Sequence, residues 1–207
     1  MTLTGNRLYG LVLAGGKSTR MGADKGLIEY HGIPQREYVY SILSSVCDDV
    51  FMSLRQEQAS QLESSFKRIV DKNEFPGPLN GIMSAHDFDK EASWFVLACD
   101  LPLLDKEAVR YIFDRRNDKK MATTYAKNKD SYPEPLVTIW ESTGLKSFRE
   151  RLDRGERMGP RKFLIDSDIE LVFPDNEKIL MNVNTMEDYE QVRIRESGAG
   201  SGVHDKM

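Results

Sequence analysis

Leu13-Ala14-Gly15-Gly16-Lys17-Ser18-Thr19-Arg20-Met21-Gly22-Ala23-Asp24-Lys25 is the stretch that decides how the rest of the chain is read. The apolar run Leu11 to Ala14 stops at Gly15 and Gly16, and further glycines (Gly22, Gly26, Gly32) and basic side chains (Lys17, Arg20, Lys25) follow within about one loop's length. A buried strand that ends in a glycine-rich basic loop suits a polyphosphate. Glycine lets backbone N–H groups approach an anion closely, and Lys and Arg neutralise it. The run has neither the spacing of a Walker A loop nor that of a Gly-x-Gly-x-x-Gly turn, so it needs its own interpretation.

Outward from this stretch, strand-like and helix-like runs alternate. Arg7 to Ala14 reads as a buried strand. Pro34 opens a helix running to about Cys47, and Val50 to Leu54 and Lys67 to Val70 are short strands. Leu79 to Phe88 looks helical. Trp94 to Cys99 is continuously apolar, as a central parallel strand covered on both faces must be. Asp105 caps a helix with Val109, Ile112 and Phe113 on its apolar face, and Leu104 can staple onto Val109 across that cap. Met121 to Tyr125 and Leu136 to Trp140 read as later strands, as do the shorter Glu170 to Phe173 and Lys178 to Met181. Thr185 caps a last helix, Met186 to about Ile194. This alternation predicts an α/β protein with three α/β/α layers around a mostly parallel sheet. We expect one domain over residues 1–195 and a disordered Ser/Gly-rich tail over 196–207.

Bulk composition narrows the function. A formal charge of −4 argues against non-specific nucleic-acid binding and against a basic membrane-facing surface. No apolar run is long enough to cross a membrane. Cys47 and Cys99 form no CxxC pair, and His31, His86 and His204 are scattered. The cysteines therefore suggest buried thiols in a reducing cytoplasm, and the histidines give no zinc pattern.

In open α/β sheets, ligands bind outside the carboxyl ends of the strands, so the strand exits at Gly15 and at Cys99-Asp100-Leu101-Pro102 can face one site. Asp100 directly follows the most apolar strand. Alone it is as well explained by a turn before Pro102. Facing a polyphosphate loop, a single carboxylate suits Mg²⁺, which otherwise keeps water and substrate phosphates as ligands. Asp71 follows another strand and opens a Pro- and Gly-rich connection that runs to Gly81. An ionised carboxylate accepts two hydrogen bonds, and guanine offers two adjacent donors on one edge, so Asp71 is a candidate guanine reader. Asn182 and Asn184 precede the last helix and can reach metal, phosphate or ribose, while Thr185 with Asp188 has capping-box spacing. Arg149 to Lys162 is rich in arginine but diluted by Glu150, Asp153 and Glu156. It reads as a solvated helix face, with a basic lid over a second phosphate-bearing substrate as the alternative. Cys99 has no histidine nearby in sequence to activate it and reads as an inert buried thiol.

These residues resemble the nucleotidyltransferases of the molybdenum cofactor guanylyltransferase group. Residues 13–25 resemble that group's LAGGxSxRMGxDK signature, and Asp71 with Gly77-Pro78-Leu79-Asn80-Gly81 resembles its D…GPLxG element. Cys99-Asp100-Leu101-Pro102 resembles its CDxP metal site, Pro133-Glu134-Pro135-Leu136 its PEPL-type segment, and Asn182 to Asp188 its NxNTxED element. The likeness runs from about residue 8 to residue 193 with the elements in family order. It implies a Rossmann-like nucleotidyltransferase fold and transfer of GMP from GTP to molybdopterin or molybdenum-molybdopterin, releasing pyrophosphate and giving a guanine dinucleotide cofactor. It places Leu13, Ala14, Gly15 and Gly16 around the nucleotide, Arg20 and Lys25 on phosphate charge, Asp71 on guanine and Asp100 on Mg²⁺. Asn182 and Asn184 fall near the second substrate or the phosphates. Implied partners beyond the substrates are the molybdoenzymes that receive the product, or their chaperones, with the protein a monomer or a weak homo-oligomer. Asn80 stands where the group commonly has Ala, and Met186 where Pro is frequent. Both read as small changes at helix starts.

Two rivals remain open at this level. A cytidylyl- or sugar-nucleotidyltransferase would use the same loop and Asp100. A non-catalytic GTP-binding protein that hands cofactor to an apoenzyme would keep the base site.

Overall fold

The computed structural model describes residues 7–15, 25–60, 62–182, 187, 188 and 191. Seven strands form one sheet: β1 (Leu8–Leu13), β2 (Asp49–Leu54), β3 (Arg68–Val70), β4 (Ser93–Ala98), β5 (Ala122–Tyr125), β6 (Val137–Trp140) and β7 (Glu170–Val172). Their order is β3-β2-β1-β4-β6-β5-β7. All neighbours pair in parallel except β6, which runs antiparallel to both β4 and β5. The sheet is thus mostly parallel and mixed only on the β6 side.

The helices are α1 (Gln35–Leu43), α2 (Gln56–Ala59), α3 (Pro78–Phe88), α4 (Lys106–Phe113), α5 (Ser142–Asp153) and α6 (Pro160–Ile165). Period-two alternation along the central strands splits the core in two. Leu8 and Val12 of β1 and Phe95 and Leu97 of β4 join Val39, Leu43, Val109 and Ile112 of α1 and α4 on one face. Tyr9 and Leu11 of β1 and Trp94 and Val96 of β4 join Ile82, Met83, Phe148 and Phe163 of α3, α5 and α6 on the other. Both faces being covered, β1 and β4 show no polar alternation, which is why they are legible as apolar runs.

Helix ends follow local chemistry. The Asp105 side chain accepts from the Ala108 N–H at 2.8 Å, capping α4 as expected, and Leu104 and Val109 both lie in the core beneath it. Pro78 takes the first turn of α3, and Gly77 before it has φ 60°, a left-handed value that suits glycine. α1 ends at Leu43 rather than near Cys47. The Ser44 and Ser45 hydroxyls bond back to the carbonyls of Tyr40 and Ile42 at 2.9 and 2.6 Å, and the chain continues as a turn.

A further expectation needs correction. Lys178 to Met181 is not a strand: Glu177–Leu180 forms a 3-10 turn. The Asn176 side chain accepts from the Lys178 N–H at 3.1 Å, and Ile179 and Leu180, adjacent in sequence, both pack into the same core. A strand would send them to opposite faces. Arg149 to Lys162 lies mainly on exposed helix faces, the reading its diluted charge favours. It spans the end of α5, a break at Gly155 with φ 83°, and the start of α6. Several of its charges are paired within the fold: Arg149 with Glu74, Asp87 and Asp153, Arg151 with Glu156 and Asp166, and Lys162 with Asp166. The expected last helix and the tail fall largely outside the described residues.

Candidate active site

The carboxyl ends of β3, β2, β1 and β4 lie side by side and open onto a cleft of about 490 Å³. Leu13, Ala14 and Gly15 enter it from β1, Ser53 from β2, Asp71 from β3 and Asp100 from β4. The first turn of α3 closes one wall with Gly77, Asn80 and Gly81. The geometry thus joins the expected residues Leu13, Ala14, Gly15, Asp71 and Asp100. Lys25 opens a short 3-10 turn (Lys25–Leu27), and its neighbour Gly26 lines the cleft. Gly16, Lys17, Arg20, Asn184 and Thr185 lie outside the described residues.

Asp71 is the most constrained group of the cleft. Its backbone N–H donates to the Leu54 carbonyl at 2.9 Å, extending the β2–β3 pairing by one residue. Its Oδ1 accepts from the Ser53 hydroxyl at 2.5 Å. Burial pushes its pKa above the ordinary value, opposed by the hydrogen bond from Ser53, the charge of Arg55 and a hydrogen bond from Asn80. Gly15 is the other side of this arrangement. A Cβ there would stand 2.9 Å from Asp71 Oδ2, so the absence of a side chain at 15 lets the carboxylate reach over the β1 exit. Gly81 acts similarly, since a Cβ would strike Ser53 Oγ and Leu13 Cδ2. α3 therefore rests directly on the ends of β1 and β2.

Ser53, Arg55 and Phe75 line the cleft without having been singled out in the sequence, and Asn80 lines it too. Ser53 carried a signal: it is a polar residue near the carboxyl end of an otherwise apolar strand. Asn80 is not a small change. It is buried, and its Oδ1 accepts from the backbone N–H groups of Glu74 at 3.1 Å and Phe75 at 3.5 Å. Asn73, with φ 60°, makes the left-handed bend that this loop needs.

Asp100 sits half-buried at the β4 exit on the cleft wall, beside the buried Cys99. Among the described residues no group of His, Cys, Asp and Glu is large enough to cage a metal ion. That donor set fits Mg²⁺, which needs few protein carboxylates and takes water and phosphate oxygens for the rest. His31 and His86 do not line the cleft. The His31 ring stacks on Tyr38 at 3.8 Å and meets the Pro102 carbonyl at 2.9 Å.

Asn182 lies apart from this cleft. It lines a second one of about 350 Å³ with Lys127, Tyr132, Glu134 and Arg161. Glu134 links the two: burial raises its pKa, the Leu136 N–H and Arg161 lower it, and the charge of Asp100 raises it further. Arg161 bonds the Glu134 carboxylate and the Pro133 carbonyl, both at 3.4 Å.

A mostly parallel sheet with a glycine-floored cleft at its strand exits and separated carboxylates on the rim defines a nucleotide-handling α/β enzyme. Residues 10–169 match the MobA-like NTP transferase domain, and the chain belongs to that family of nucleotidyltransferases. It is 37% identical over 187 residues to a molybdenum cofactor biosynthesis bifunctional protein of Synechocystis, covering 89% of this chain but 53% of that protein, about half its length. It is 31% identical over 180 residues to a molybdenum cofactor guanylyltransferase of Pseudomonas fluorescens, covering 86% of this chain and 89% of that one. The solved structure of molybdopterin-guanine dinucleotide biosynthesis protein A from Archaeoglobus fulgidus superposes with a TM-score of 0.73 at 21% identity, over 92% of this chain and 99% of that one, a likeness of fold.

Proposed function

We propose that this enzyme transfers GMP from GTP to the terminal phosphate of molybdopterin or molybdenum-molybdopterin, releasing pyrophosphate. The observation that carries the reading is the Asp71 carboxylate, held by Ser53 at 2.5 Å over the side-chain-free Gly15, on the same cleft as Asp100. Asp71 at the β3 exit is engaged on β2 and β1, and Asp100 follows β4, the next strand. Strands are spaced by about 4.8 Å, which leaves room for a ribose between a base on Asp71 and an α-phosphate near Asp100. A carboxylate has about four lone-pair sites. Ser53 occupies one, and the remainder leave room for the ring N–H and the exocyclic amine of guanine.

The pterin phosphate attacks the α-phosphorus. An O–P bond forms there as the bond to the β-phosphate oxygen breaks, and pyrophosphate leaves with its electron pair. A phosphate monoester has its second pKa near ~6 and is already mostly dianionic at neutral pH, so no general base is needed. The chain's task is positioning and charge stabilisation. Gly15 and Gly16 receive the phosphates, and Arg20 and Lys25 oppose the negative charge that grows on the leaving group. Asp100 would hold Mg²⁺, which when bound neutralises phosphate charge. The cleft of Lys127, Arg161 and Asn182 adjoins the first one where the Glu134 carboxylate accepts from the Leu136 N–H at 3.3 Å, and is the natural seat for the acceptor's anionic end.

The test is pyrophosphate release from each of the four nucleoside triphosphates with molybdopterin and Mg²⁺, for wild type, Asp71→Ala and Asp100→Ala. We expect release with GTP alone in the wild type, a fall of at least a hundredfold in Asp100→Ala, and collapse of the GTP/CTP ratio in Asp71→Ala. Turnover with CTP in the wild type overturns the guanylyl assignment, and release without an acceptor overturns the transfer.

A further inference from the structure

We infer that His31 is a positioning residue for phosphate binding: its ring latches the segment that carries Lys25 to the β4 exit that carries Asp100. This rests on the proposed role of Lys25 against the phosphates. His31 lies on the connection between the Lys25–Leu27 turn and α1, and its Nε2 stands 2.9 Å from the Pro102 carbonyl. A carbonyl oxygen only accepts, so Nε2 carries the proton. The ring stacks on Tyr38 of α1 with centroids 3.8 Å apart and planes 17° apart, which fixes the direction of that N–H. Pro102 is two residues beyond Asp100. One side chain therefore joins the loop after β1 to the loop after β4.

The two sides of this latch are held differently. After β4, Leu101 and Leu104 are buried in the core with Val39 and Ile42 of α1, and the Leu104 N–H donates to the Leu101 carbonyl at 3.1 Å. Burial fixes that turn. On the other side Leu27 and Ile33 are 49% and 41% exposed, so apolar burial does little at these positions and polar ties carry more of the positioning. The Gln35 N–H, donating to the Ile28 carbonyl at 2.9 Å, ties the segment to α1, and His31 ties it to the β4 turn. Gly26, next to Lys25, lines the cleft together with Asp100. The latch thus sets the spacing between the backbone at Lys25 and the β4 exit at Asp100. Groups that grip one polyphosphate from two loops bind it best when that spacing is fixed in advance, because less freedom is lost on binding.

The test compares His31→Phe and His31→Gln with wild type, each also on a Lys25→Ala background. His31→Phe keeps a ring for Tyr38 but has no donor, and His31→Gln keeps an amide donor without the ring. Pyrophosphate, the leaving group, is titrated calorimetrically with Mg²⁺ present, and kcat with GTP is read well below the melting temperature of each variant. One hydrogen bond is worth about a two- to tenfold change, so we expect His31→Phe to weaken pyrophosphate and lower kcat by about fivefold, and His31→Gln to stay within about twofold of wild type. The GTP/CTP preference should hold in both, because Asp71 is untouched. On the Lys25→Ala background His31→Phe should add no further loss, because the group it positions is gone. Wild-type pyrophosphate affinity in His31→Phe, equal losses in His31→Phe and His31→Gln, or the full loss persisting on the Lys25→Ala background overturns the inference. A lower melting temperature with affinity and kcat unmoved makes the contact one of stability alone and overturns it too. If Lys25→Ala itself binds pyrophosphate as wild type does, the role proposed for Lys25 has failed. If Lys25→Ala weakens binding and His31→Phe does not, only the latch has failed.

Discussion

Gly15→Ala isolates the contact between the β1 exit and Asp71. Gly15 is not among the positive-φ glycines of the described residues, so alanine meets no backbone penalty. Its Cβ would stand 2.9 Å from Asp71 Oδ2, while its next neighbours, the Arg55 nitrogen and the Ser53 carbonyl, are at an unstrained 3.6 Å. The methyl group must therefore displace the carboxylate by several tenths of an ångström. The carboxylate can yield only by disturbing its 2.5 Å bond from Ser53. A hydrogen bond to a charged group contributes about 1.5–3 kcal/mol, so losing its geometry weakens GTP binding by roughly 10–100-fold. Calorimetric titration of GTP and CTP into the variant, with Mg²⁺ present, measures this. A clash with the phosphates would weaken both nucleotides equally, whereas a displaced carboxylate weakens GTP selectively. Wild-type affinity for GTP, or parallel losses for GTP and CTP, would refute the argument.

Further outcomes follow from the same geometry. Burial raises the pKa of Asp71, so its ionised form opposes folding: the relative stability it confers is present below the unfolded value of 3.8 and lost as pH rises through the folded value. Asp71→Asn should accordingly melt higher than wild type at pH 7, lose that advantage near pH 3, and no longer prefer GTP; a lower melting temperature at pH 7 would contradict this. Glu141 accepts two 2.7 Å bonds from Arg116 and one from Ser93 in a buried network joining β4 to the connection before β5. Glu141→Ala leaves a charge unpaired and should cost about 3–5 kcal/mol, a fall in melting temperature on the order of 10 °C by calorimetry. A fall under 3 °C would mean the network is solvated. Arg149→Ala should lower stability by no more than about 1 kcal/mol, since its partners are partly exposed, and leave KM for the pterin unchanged. A raised pterin KM would restore the basic-lid alternative.

Much of this molecule was legible before any coordinates. Trp94 to Cys99 and Leu8 to Leu13 are buried on both faces, and continuous apolarity is a local property of the chain. The Asp105 cap is equally local, because its partner Ala108 lies three residues on. Lys178 to Met181 misled for a physical reason: a short apolar pair looks the same in a strand and a 3-10 turn until the position of the core is known. The ion pairs of Arg149 and Arg161 were not legible, because Glu74, Asp87 and Glu134 are far away in sequence.

The sequence by itself determined the alternating α/β architecture, the two strand exits at Gly15 and Asp100, and the chemistry available at each, since these depend on residue type and near neighbours. Only the tertiary structure decided what surrounds Asp71. Ser53 and Gly15 come to that carboxylate from β2 and β1, and each contributes through a contact no sequence spacing records: a hydroxyl at 2.5 Å and a missing Cβ. A carboxylate's selectivity lies in its orientation. Orientation is set by partners that meet only when separate strands pack at one edge of the sheet.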